Sequence, residues 1–148
     1  KLHSQYALLN LPDKLGKESM MLLAQEPEIK KTLDLVSKSD IVVFGVGRAD
    51  EMILRRNLSK EVAQEILDKG AVCESFGYYF NKSGEIVYRL NTIGIDLESV
   101  QQAREVIAVF AGSKKIEAFL AISKINKNLV LVTDEHSGEK LIELIKSQ

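Results

Sequence analysis

The sequence predicts an α/β fold: a largely parallel, twisted sheet in three layers, with helices on both faces and one inserted β-hairpin. Three observations carry this. Apolar, β-branched runs of strand length recur at residues 40–45, 106–112 and 129–133, and continuous runs of this kind mark strands covered on both faces. Each is followed by a stretch with helical spacing, so strand and helix alternate as they do where crossover helices join parallel strands. Between residues 71 and 90 the period changes to two on either side of Asn81-Lys82-Ser83-Gly84, a polar turn ending in glycine, which is a hairpin signature.

Taken in order, Tyr6-Ala7-Leu8-Leu9-Asn10-Leu11 reads as a buried strand. Beyond Pro12, two amphipathic helices follow. Met20, Leu23 and Ala24 line the first, and Ile29, Leu33 and Val36 the second, with Pro27 opening it as an N1 proline. The strand 40–45 leads into a helix from Ala49 to Arg55 that breaks near Asn57. A second helix resumes with Ser59 as its N-cap, carries Val62, Ile66 and Leu67, and stops at Gly70. After the hairpin and the strand 106–112 comes a helix over 114–126, and after the strand 129–133 a helix over 138–147.

Composition bounds the function. A chain of 148 residues with 45% hydrophobic and 28% charged residues, nine glycines and two prolines is ordinary for one globular domain and excludes low-complexity or collagen-like classes. Twenty basic against twenty-one acidic residues give a formal net charge of -1, without the bulk basic charge of a nucleic-acid reader. Cys73 stands alone, so no internal disulfide forms, and His3 and His136 are too few for a His/Cys metal cluster. No apolar run reaches the ~18 residues of a membrane span, and the start has no signal-peptide order. The expectation is a cytoplasmic domain without metal or cofactor, lacking the first portion of its sheet.

Ligands of open α/β sheets bind beyond the carboxyl ends of the strands, which directs attention to the loops after Phe44, Phe110 and Val132. Gly112-Ser113-Lys114-Lys115 takes a strand into a helix with two lysines in the first turn, where the helix dipole disfavours cations. A bound phosphate or carboxylate would offset that; the alternative is two solvated surface lysines. Gly45-Val46-Gly47-Arg48 begins like a dinucleotide fingerprint but has Asp50 in place of a third glycine, so a tight strand-to-helix turn is the competing reading. Arg55 and Arg56 have the guanidinium forks that suit phosphate oxygens, and neighbouring positions cannot both face one pocket.

Glu74 interrupts a row of Val72, Phe76, Tyr78 and Phe80 along a strand read as running from 71 to 80. Buried, it must meet a cation or hydrogen-bond donors. Sugar hydroxyls are such donors, and an ion pair with Lys82 or Arg89 across the hairpin is the alternative. Cys73 reads as a small core thiol. Asp134 and Ser137 read as caps of the last helix more readily than as a catalytic base. No Ser/His/Asp order, zinc-ligand spacing or complete P-loop is present, which places binding ahead of catalysis.

The stretches SDIVVFGVGRADEMILRR, GAVCESFGYYFNKSGEIVYRLNTIGI, VIAVFAGSKKIEAFLAI and NLVLVTDE, in this order and spacing, closely resemble the effector-binding domain of the SorC/DeoR-type sugar-responsive bacterial transcriptional regulators. The resemblance implies a NagB/RpiA/CoA-transferase-like fold used for sensing rather than catalysis. For the branch that governs glycolytic genes it implies a repressor with fructose-1,6-bisphosphate as inducer. By motif it assigns phosphate binding to Arg55 and Lys115, sugar hydroxyls to Glu74, and main-chain contacts with the phosphate to Gly112 and Ser113. It also implies a homo-oligomer that meets operator DNA through a helix-turn-helix domain outside this chain, and a further Gly-Gly-Thr-Thr-type phosphate loop upstream of Lys1. Two other readings compete. One is a sugar-phosphate isomerase or deaminase of the same fold, with Glu74 and His136 as its acid/base pair. The other is an oligomerisation module using the aromatic hairpin face.

Overall fold

The computed structural model describes residues 4–11 and 15–147; His3 and Pro12 lie outside them. Two helices come first, α1 (Lys17–Leu23) and α2 (Pro27–Ser37), the latter opened by its proline as expected. Then follow β1 (Ile41–Gly45), β2 (Gly47–Arg48), α3 (Ala49–Arg55), α4 (Lys60–Asp68), β3 (Ala71–Ser75), β4 (Tyr78–Asn81) and β5 (Ile86–Arg89). The chain continues with α5 (Leu97–Gln102), β6 (Glu105–Val109), a 3-10 turn (Ser113–Lys115), α6 (Ile116–Ile122), β7 (Leu129–Val132) and α7 (Glu135–Lys146).

The fold is α/β, with the strands in two sheets. β1, β6 and β7 form a parallel sheet in the order β1-β6-β7, with Val42 opposite Val106 and Val106 opposite Leu129. The expected hairpin belongs to a second, antiparallel sheet, β2-β3-β4-β5. The chain passes between the sheets at Val46, which is buried and donates its N–H to the Val109 carbonyl.

The core lies between the sheets and α6. Cys73, Tyr78 and Phe80 of the antiparallel sheet meet Ala108 and Phe110, while Ile116, Phe119 and Ile122 pack on both. Val42, Val100 and Val106 extend it under α5. Across the antiparallel sheet, Tyr79 packs with Ala49, Ile53 and Ile66 of α3 and α4. The aromatic hairpin is therefore interior: Tyr78, Tyr79 and Phe80 are all buried, which removes it as an oligomerisation surface.

Three expectations change. Residues 6–11 form no strand; Tyr6 is 84% exposed and the segment lies along α2. A strand is held by its neighbour's hydrogen bonds, and among the described residues no strand pairs with the segment. The run 71–80 is two strands, because Phe76 (φ 58°) and Gly77 (φ 82°) both take the left-handed conformation and reverse the chain between β3 and β4. That is the geometry of a tight two-residue hairpin. Phe76 packs against Phe44 with the rings tilted by 44° and their centroids 4.7 Å apart, which offsets the strain of a non-glycine residue there. Finally, one face of the parallel sheet is open among the described residues. Ile41, Val43, Val109, Val130 and Val132 are 40% to 64% exposed, although their sequence reads as strands covered twice.

Smaller shifts have local causes. Asp134 accepts the Ser137 N–H at 3.0 Å, so α7 starts at Glu135 rather than Gly138. α6 ends at Ile122 rather than Asn126. Asn126 is buried and donates instead to the carbonyls of Val100 and Ala103, closing the end of α5. The strand after Arg104 ends at Val109, short of Gly112.

Candidate functional site at the strand ends

Two clusters stand beyond the carboxyl ends of the parallel strands, one after β1 and one after β6. The first is built on Glu74. β2 continues from β1 and pairs with β3, setting Gly47 opposite Glu74 and Arg48 opposite Cys73. The backbones come so close that a Cβ on Gly47 would lie 2.9 Å from the Glu74 carbonyl oxygen and 2.6 Å from Met52 Cγ. This is the physical demand behind the second glycine of the G-x-G turn. Arg48 is neutralised by Asp50 and, at 3.4 Å, Glu51.

Glu74 is 3% exposed. Its Oε1 accepts hydrogen bonds from Arg56 Nη2 and from the Gly77 amide, each at 2.9 Å. Neither alternative partner is used: Lys82 pairs with Glu117 at 2.7 Å, and the Arg89 guanidinium lies over the Tyr78 ring at 5.1 Å. A buried carboxylate left without its cation costs about 3–5 kcal/mol, so this pairing is structural as well as chemical. The partner is Arg56, a residue the sequence reading did not single out over Arg55. α3 ends at Arg55, and Arg56 is its C-cap, which turns the second guanidinium toward β3. Arg55 is exposed. Both arginines border a cavity of about 470 Å³ with Ser59, Tyr88 and Thr92.

Tyr79 faces Glu74 across the β3–β4 ladder. Burial first, and the Glu74 charge second, push its phenol up to about 12, against the pull of Arg56. Its buried hydroxyl has no hydrogen-bond partner among the described residues. Cys73 is a core thiol, as expected: burial first, and the Glu74 charge after it, push it up to about 12.

The second cluster is the turn after β6. Gly112 has φ 93°, a conformation that glycine adopts freely. Its carbonyl accepts the Lys115 N–H at 3.1 Å, closing the 3-10 turn. As at any helix start, the Ser113 and Lys114 amides have no acceptor within the helix. Lys114 and Lys115 make no ion pair among the described residues. The Gly112 amide is taken by Asp134 Oδ2 at 2.8 Å. Asp134 also accepts from the Ser137 hydroxyl at 2.7 Å, and these hydrogen bonds, the hydroxyl's first, hold its carboxyl down at about 2.

Of the five residues singled out, Gly112, Ser113 and Lys115 share one turn, while Arg55 and Glu74 sit on the α3–β3 side. Ser113 borders a groove between α6 and α7, separate from the cavity that Arg55 borders. His136 is exposed in the first turn of α7 and makes no hydrogen bond to Glu74. Among the described residues no group of three His, Cys, Asp or Glu side chains is placed to hold a metal ion.

The family described as "Putative sugar-binding domain" matches residues 1–143. The chain is 38% identical over 142 residues to the central glycolytic genes regulator of Bacillus subtilis, and 37% identical to that of Priestia megaterium. Each match covers 96% of this chain and 42% of the relative, so the chain spans less than half their length. A crystal structure from Enterococcus faecalis, a "putative SorC family transcriptional regulator", superposes with a TM-score of 0.83 at 36% identity, over 90% of this chain and 55% of that one. The full-length SorC of Klebsiella pneumoniae has the same fold, with a TM-score of 0.78 at 18% identity over 90% of this chain and 45% of that one. These matches show the family: the chain belongs to the sugar-binding domain family of SorC/DeoR-type transcriptional regulators.

Proposed function

We propose that this chain is the effector-sensing domain of a bacterial transcriptional repressor of glycolytic genes, and that its effector is a phosphorylated sugar, fructose-1,6-bisphosphate. The observation that carries the reading is the position of Glu74. A buried carboxylate stands beyond the end of a parallel strand, already oriented by Arg56 and the Gly77 amide. Its second oxygen has no hydrogen bond among the described residues and can accept from a sugar hydroxyl. Arg55 and the Lys115 turn supply cations for phosphate, and Gly112 and Ser113 shape that turn. The relatives named as central glycolytic genes regulators support the glycolytic assignment.

In the whole protein, operator DNA is held by a domain outside these residues, and the sensing domain works within a homo-oligomer. The ligand acts by population shift: it must bind one arrangement better than the other, since equal affinity for both shifts nothing. The open face of the parallel sheet and the greater length of the relatives support a third layer, contributed by polypeptide outside this chain, that completes the sandwich. No helix of the described residues is long and apolar enough to cross a membrane.

Isothermal titration of the full-length protein with fructose-1,6-bisphosphate tests the proposal. Arg55→Ala and Lys115→Ala are each expected to weaken binding by on the order of 10–100-fold, the loss of one charge-assisted phosphate contact. Unchanged affinity in both variants sinks the site assignment. Tighter binding of a sugar monophosphate than of the bisphosphate replaces the effector while leaving the site in place.

A further inference from the structure

The hydrogen bond from the Gly112 amide to Asp134 changes what that turn can offer a ligand. A phosphate seated there meets a glycine N–H already given away, to a carboxylate that also caps α7. Both oxygens of Asp134 are engaged: Oδ1 by the Ser137 amide at 3.0 Å, Oδ2 by the Gly112 amide at 2.8 Å and the Ser137 hydroxyl at 2.7 Å. A carboxylate with three internal donors is held in place and its charge is largely answered. It therefore fixes the turn without standing as a free anion against a phosphate.

We propose that Asp134 is a positioning residue of the effector site: it ties the Gly112–Ser113 turn to the start of α7 and so presets the geometry in which Ser113, Lys114 and Lys115 meet an anion. The role rests on the proposed sugar-phosphate reading and deepens it. Gly112 contributes its left-handed backbone rather than its N–H, and the phosphate contacts fall to the next two amides and to the Lys115 ammonium. Preorganisation of this kind lowers the ordering cost of binding. It also gives the turn a mechanical link to α7, the element that follows the neighbouring strand β7.

Asp134→Asn separates positioning from capping. Asparagine caps helices about as well as aspartate, and its single carbonyl oxygen can keep the Ser137 amide. Its amide group then faces the Gly112 N–H, donor against donor, and the tie is lost. In the full-length protein the expected result is fructose-1,6-bisphosphate binding weakened by on the order of tenfold, a thermal midpoint close to the parent's, and faster hydrogen exchange at the Gly112 amide. Asp134→Glu, which retains a carboxylate, is expected to restore part of the affinity. Equal or tighter binding by Asp134→Asn overturns the role, tighter binding meaning that the carboxylate competes with phosphate. A parent protein that binds neither the bisphosphate nor glucose-6-phosphate overturns the functional reading, and this role with it.

Discussion

The two ends of the candidate site are built on opposite principles. At the Glu74 end the charge is buried and answered before any ligand arrives, by a guanidinium on one side and a turn amide on the other. At the Gly112 end Lys114 is exposed and Lys115 half-buried, neither is in an ion pair among the described residues, and the counterpart of the buried carboxylate is a backbone turn tied by Asp134. The first arrangement makes the site inseparable from the stability of the antiparallel sheet. The second leaves the proposed anion-binding turn free to be altered with little effect on folding. Specificity for a polyol can be set by rigid hydrogen-bond geometry, whereas attraction of phosphate needs charge that water and ligand can reach.

Substitutions at the two ends should therefore separate. The largest effect is expected for Arg56→Ala, which leaves the buried Glu74 carboxylate without its cation: a loss of about 3–5 kcal/mol, read as a shifted urea midpoint. Glu74→Ala should cost about 2–3 kcal/mol, less because the Arg56 guanidinium it strands keeps one side in water. Arg55→Ala should stay within ~0.5 kcal/mol of the parent. Equal costs at the two arginines would erase the distinction between pairing and ligand-facing residues. Gly77→Ala adds a Cβ 2.6 Å from Thr92 Oγ1 at φ 82°. A destabilisation of about 1–3 kcal/mol is expected, while Gly112→Ala, with open space around its Cβ, should show only the backbone strain of ~1–2 kcal/mol.

The pH responses extend the contrast. Cys73 and Tyr79 lose a proton less readily folded than unfolded, so their contribution is complete below the unfolded values of ~8.5 and ~10. It disappears as pH rises toward about 12. Alkaline unfolding should begin in that window, and Cys73 should resist thiol reagents in the native state. Asp134 behaves in the opposite sense. Its stabilisation is present above the ordinary carboxylate range and is lost as pH falls toward about 2. An NMR titration of the Gly112 amide that inflects near 4 instead would place Asp134 outside the turn. This is the smallest effect expected, because the group is near the surface.

Much of the architecture was legible because it rests on local chemistry. Pro27, Ser59 and Gly70 mark helix ends that the structure repeats, since N1 prolines, hydroxyl caps and left-handed glycines act within one turn of chain. The Asn81–Gly84 turn is likewise local. The Phe76-Gly77 reversal was not, because an aromatic residue in the left-handed region is stable only when something distant holds it, here Phe44. α5 has six residues, too short for periodicity to register, and only its Asp96 cap signals it.

Glu74 was conspicuous as a carboxylate among aromatics, and Lys115 as a cation at a helix start. That Arg56 rather than Arg55 pairs with Glu74 follows from where α3 stops, a matter of one residue's rotation.

By itself, then, the sequence determined the α/β class, the order of most elements, the near-neutral charge of the domain, and the residue types at its strand ends. The tertiary structure decided that the strands divide between two sheets, which sheet face is open, and which partner each charged group takes. The reason is range. Periodicity and capping act over three or four residues, whereas Glu74 with Arg56, Gly112 with Asp134 and Phe76 with Phe44 are joined across 18, 22 and 32 positions, and only packing brings such pairs together.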